Sequence, residues 1–243
     1  MTSDSSLPGT GALTALSAHP DVDASSSRVL GSPPRIAPLQ VSELTGDLMA
    51  IVQRMISVNT ALDSREQQTL TDLVPESGGA GTDLQALLAQ LPEILLTMLR
   101  HPDLFARQVD MGIQLLAQGA LAPRDRELAI LRMGWLCQAP YEWGEHVQVA
   151  HKLGLTPEDT ERITCGSTAQ GWTEHERAIL KATEELFESA MISDATWATL
   201  AQQLDERQLI ELPIVVGQYQ TVAYYQNSLR LRLHEGNLGL RAR

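Results

Sequence analysis

The chain has 243 residues, enough for one sizeable domain, and 43% of them are hydrophobic, as in ordinary globular proteins. Aromatics make up only 4%, so Leu, Ala, Ile and Val must build the core, a composition suited to helices packed on helices. The net charge of -12 repels nucleic-acid phosphates and anionic lipid, which sets aside nucleic acid and membrane as partners.

Residues 1–36 are rich in Ser, Pro, Gly and Ala and read as a mobile tail, with an all-helical domain over 37–243. The opening residues lack a basic start and a long apolar stretch, so no signal peptide is expected. No run of about 18 apolar residues is present to span a membrane. From 41 to 62, Leu44, Leu48, Ile51, Val52 and Met55 recur at helical spacing, with Ser42 as the expected cap. Residues 75–83 form a Gly-rich loop. Asp83 opens the next helical run, in which Pro92 is expected to make a kink or a break.

Helices follow over 102–119, closed by Gly119, and from Pro123 to Pro140, which breaks the pattern. Another runs to Gly154, and a short one starts at Thr156-Pro157. After a loop at 165–172, Thr173 and Glu176 form a capping box for a long amphipathic helix. Ser193 starts a further helix. The last long run, 206–230, contains Pro213 and Gly217, which should bend or divide it.

Chemistry concentrates between Arg124 and Leu153. Glu142 and His146 are four apart and share a helix face. Glu127 and Glu142 each lie near a helix start, which favours the ionised carboxylate, while burial opposes it. A carboxylate beside an imidazole is a tunable acid–base pair, and a second carboxylate from the preceding helix would complete a proton relay. The same spacing is also common on helix surfaces.

Other readings stay open. Two Glu and one His suit a divalent ion, but di-iron bundles use a spacing of three, in pairs, and no second copy exists here. No metal is expected. Cys137 is a candidate nucleophile without a sequence partner to lower its pKa, and Cys165 lies in a Gly/Ser loop. The two cysteines match no zinc or thioredoxin-like spacing, so a reducing cytoplasm is the expected home. Arg132 is placed to reach a substrate carboxylate, or else to pair with a surface acid. Trp143 reads as core or pocket wall.

The run RDRELAILRMGWLCQAPYEWGEHVQVAHKLGLT at 124–156 resembles the carboxymuconolactone decarboxylase family, whose superfamily also holds the alkyl hydroperoxidase D proteins. The resemblance rests on RELAIL, on YEW and on the histidine three residues after Trp143. It extends more loosely from PPRIAPL to GQYQTVAYYQNS. It implies an all-α, alkyl hydroperoxidase D-like bundle and a homo-oligomer, trimer or hexamer. Against the peroxidase motif Cys-x-x-Cys-x-x-x-His, the upstream glutamate falls on Glu127, and the two cysteine positions fall on Ala139 and Glu142. A disulfide cycle cannot run without those thiols. What remains resembles the decarboxylase-like branch: cofactor-free acid–base chemistry by Glu127, Glu142 and His146 on a small carboxylated or lactone-like molecule. His146 is then the principal acid–base and Tyr141 a hydrogen-bond donor. A peroxide reductase working through Cys137 and a non-catalytic member of the fold are the alternatives.

Overall fold

The computed structural model describes residues 21–48, 51 and 92–243. Among the described residues every regular element is helical. The α-helices are α1 (Val22–Leu30), α2 (Glu93–Met98), α3 (Pro102–Ala117), α4 (Pro123–Leu136), α5 (Pro140–Lys152), α6 (Pro157–Cys165), α7 (Glu174–Ser189), α8 (Asp194–Leu200) and α9 (Glu206–Leu229). Short 3₁₀ turns lie at Val41–Glu43, Gly166–Thr168 and Gly239–Arg241. None of these helices is long and apolar enough to cross a membrane.

Local chemistry sets most of the helix starts. α3, α4, α5 and α6 each begin on proline, whose fixed φ and missing N–H suit the first helical position. α6, α7 and α9 begin with reciprocal capping boxes, Thr156 with Asp159, Thr173 with Glu176 and Asp205 with Gln208. α9 runs unbroken through Pro213 and Gly217, so the division that was one of two expectations there does not occur. Packing against α4, α5, α7 and α3 keeps it whole.

α4 is the centre of the fold, packed on α5, α6, α7 and α9, and is buried along almost its entire length. A helix buried on all sides cannot carry unpaired charge. Its four buried charged residues accordingly have partners: Asp125 with His175, Arg126 with Glu127, Glu127 with His146, and Arg132 with Glu184. The turn from α4 to α5 closes on Gln138 in the left-handed region (φ 48), with the Ala139 amide donating to the Gly134 carbonyl. This hairpin sets α5 against α4. A β-carbon at Gly134 would make only ordinary contact, 3.8 Å from Glu142 Cγ.

The N-terminal expectations need correction. The stretch read as a mobile tail contains α1, capped by Asp21 and carrying the buried Val29. It is held from the far end of the chain: Arg241 pairs with Asp23, and Arg232 donates to the Leu30 and Ser32 carbonyls. Residues 1–20 lie outside the described residues. Ser42 is not a cap; it lies inside the Val41–Glu43 turn, where Glu43 accepts from the Gln40 amide. Residues 52–62, the loop at 75–83 and the run from Asp83 to 91 also lie outside the described residues. α2 starts directly after Pro92, its N-cap, in keeping with the break that was one of the two expectations there, and α3 ends at Ala117 with Gln118, not Gly119, as its cap. A second small core of Leu39, Leu99 and Phe105 joins this segment to α2 and α3.

After α9 the chain folds back over α5. Asn237 donates to the Tyr141 carbonyl and to Glu145, and accepts from the Gly239 amide, while the Trp143 indole donates to the Ala242 carbonyl. Gly144 gives this arm its seat, because a β-carbon there would meet Asn237 Oδ1 at 1.8 Å. Gly144→Ala is therefore expected to cost roughly 1–3 kcal/mol by overpacking, read as a lower melting temperature. An unchanged melting temperature would mean that the arm is not seated on α5.

Candidate functional site

Glu127, Glu142 and His146 come together in one buried line. His146 Nδ1 lies 2.8 Å from Glu127 Oε2, and Nε2 lies 3.1 Å from Glu142 Oε1. The second oxygen of Glu127 accepts from Arg126 Nε at 3.2 Å, and Arg126 also donates to the Leu116 carbonyl. The second oxygen of Glu142 accepts from the Gln226 amide at 2.7 Å. Two carboxylates thus face two cations, and the cluster is charge-balanced.

The geometry fixes the state of the ring. Burial alone would drive the imidazole neutral, but the Glu127 and Glu142 carboxylates outweigh it and raise its pKa to about 10. His146 therefore rests as imidazolium, with both nitrogens facing carboxylates and neither free to ligate a metal ion. Among the described residues no group of three or more His, Cys, Asp or Glu is disposed to hold one.

α9 closes the site. The Tyr219 ring stands edge-on to His146, centroids 4.9 Å apart at 87°. Burial, Glu142 and Glu127 keep its phenol protonated, and burial and Glu142 do the same for Tyr225. Arg126, Tyr219, Tyr225 and Gln226 were not named as site residues from the sequence. A signal existed: Tyr219 and Gln226 are seven apart, two turns along one face of a largely apolar helix.

The other named residues fare unevenly. Tyr141 is buried, and burial, Glu145 and Glu142 push its phenol well above the usual range, so it remains a donor. Trp143 is not in the site: it is fully buried, 4.8 Å from Trp135, with its indole N–H committed to Ala242. Arg132 is not there either. Five residues past Glu127, it points roughly 140° around the helix axis. It is spent on Glu184 and on the Ile163 and Thr164 carbonyls. Cys137 ends α4 with Sγ 3.6 Å from Met133 Sδ. Burial pushes its thiol up to about 11, with Arg28 opposing and Glu142 adding.

Residues 102–185, which hold the whole Glu127–His146–Glu142 line, match the carboxymuconolactone decarboxylase family. That match takes in less than half of the chain. Solved structures share its fold. A peroxidase-related protein with an alkylhydroperoxidase AhpD core from Ralstonia eutropha JMP134 is 15% identical, covering 74% of this chain and 93% of its own, at a TM-score of 0.55. A protein of unknown function from Agrobacterium tumefaciens, described as AhpD of antioxidant defence, is 18% identical over 56% of this chain and 94% of its own, TM-score 0.52. The debrominase Bmp8 is 16% identical over 84% and 94%, TM-score 0.57. At these identities the likeness establishes the fold alone. No curated protein matches the sequence.

Proposed function

We propose that the chain is a proton-transfer enzyme acting on a small lactone-like organic molecule by decarboxylation, isomerisation or a related lyase step. The observation that carries this reading is the buried line of carboxylate, imidazolium and carboxylate. Glu127 is fully buried and held by Arg126 and His146, so it anchors the line. Glu142 keeps a slight exposure, 4% against 0% for Glu127, and lone pairs beyond those used on His146 and Gln226. In this reading Glu142 is the member that meets substrate, and His146 stands behind it as the proton store.

In a decarboxylation the carbon–carbon bond breaks, its electron pair enters the conjugated system, and carbon dioxide leaves. The carbon then takes a proton from Glu142, which Glu142 draws from His146 Nε2, leaving a neutral ring with Nδ1–H on Glu127. Solvent later restores the proton. An isomerisation uses the same carboxylate to remove a proton at one carbon and return it at another. Tyr219 and Tyr225, held as phenols, are donors for a developing enolate oxygen.

A thiol mechanism is less well supported. The two redox positions are Ala139 and Glu142, and Cys137 is a high-pKa thiol packed on a methionine. The test is turnover of carboxymuconolactone, followed by ultraviolet absorbance. His146→Ala is expected to lose about 10²–10⁴-fold in rate, and Cys137→Ala to match the wild type. Undiminished turnover in His146→Ala rejects the relay.

A further inference from the structure

We infer that Gln226 forms a subsite for a hydrogen-bond donor, so that the substrate presents an N–H or O–H beside the group that Glu142 serves. The inference rests on the proton-transfer reading and adds the substrate class to it. Gln226 is only 3% exposed. Its Nε2 donates to Glu142, and among the described residues its buried Oε1 has no partner. Reversing the amide is no remedy, because it would set an oxygen against a carboxylate that can only accept. The unpaired oxygen follows from the Glu142 contact and stays on the same amide, next to the proposed proton-transfer group.

Two neighbours repeat the pattern at the turn leading into α5. Asn227 donates its Nδ2 to the Cys137 carbonyl, and its buried Oδ1 has no partner among the described residues. Gln138 donates its Nε2 to the Trp135 carbonyl and leaves its own Oε1 in the same condition. Both amides are fixed in orientation by the carbonyls they serve. The cations of the cluster, Arg126 and His146, are already held on its carboxylates. Of the three amides only Gln226 is bonded to a member of the line, and what it offers there is an acceptor; a buried acceptor discriminates strongly against a molecule that brings no donor.

The probes are 2-pyrrolidinone and γ-butyrolactone, ring analogues that differ in N–H against ring oxygen, with binding to the full chain measured by ligand-observed NMR. The lactam is expected to bind roughly tenfold or more tightly than the lactone, the effect of one well-made hydrogen bond. Gln226→Leu, checked for fold by circular dichroism, is expected to abolish the preference, whereas His146→Ala keeps it. Equal affinities, no binding of the lactam, or a preference that persists in Gln226→Leu overturns the subsite. Failure of the turnover test with the lactam preference intact would remove the relay and leave the subsite standing.

Discussion

Glu127→Gln is expected to lower the unfolding free energy by about 3–5 kcal/mol and to abolish turnover. The side chain is fully buried and is the shared counter-ion of Arg126 and His146. Glutamine fills the same volume, so no cavity forms and the loss is electrostatic. Its amide can offer an oxygen to one cation only, and the –NH₂ end then faces the other. That leaves two positive groups buried with one remaining carboxylate, Glu142. Removing one partner of a buried pair costs far more than the pair contributes against an apolar replacement, because the other charge stays desolvated. The check is a urea titration: the midpoint is expected to fall with little change in slope. A variant as stable as the wild type would show that Glu127 does not balance the cluster.

The sequence made the local events legible and the distant ones obscure. Proline at the first helical position and the Thr173–Glu176 box are short-range signals, and the helices start where they point. Glu142 and His146 share a face because four residues nearly complete a turn, which needs no tertiary knowledge. Glu127 joins them only because the α4–α5 turn folds one helix onto the other, a relation that the family resemblance supplied. Arg132 lies close to the site in sequence, and that proximity misled, while Trp143 takes the core place that was one of its two readings. Helix rotation carries Arg132 to the α6–α7 side and Trp143 to the C-terminal arm.

α1 was illegible for a different reason. Its composition is that of a tail, and what fixes it comes from Arg232 and Arg241, about two hundred positions away in the chain. Gln226 and Tyr219 fall between these cases. A polar side chain on the inner face of a long apolar helix must find a partner or be exposed. Asking that of α9 would have placed both against the carboxylates of the preceding hairpin.

The stability of the protein is expected to fall as pH rises from about 6.5 to 9, with a slope approaching 1.4 kcal/mol per pH unit contributed by His146. The sign follows from the ring's environment. Its pKa in the folded protein is raised to about 10 from 6.5, so the folded state holds a proton that the unfolded state releases. The stabilisation is complete below the unfolded value and is lost as pH climbs toward the folded one. Cys137, raised to about 11 from 9.0, adds a loss of the same sign from about pH 8 upward, and the buried tyrosines act higher still. Denaturant midpoints measured between about pH 6.5 and 8 therefore separate the histidine from the thiol. His146→Gln is expected to flatten the curve over that interval. A wild-type curve already flat there would mean that the ring is neutral and cannot be the proton store, while a steep wild type and a flat variant would tie the relay's charge to the folded state itself.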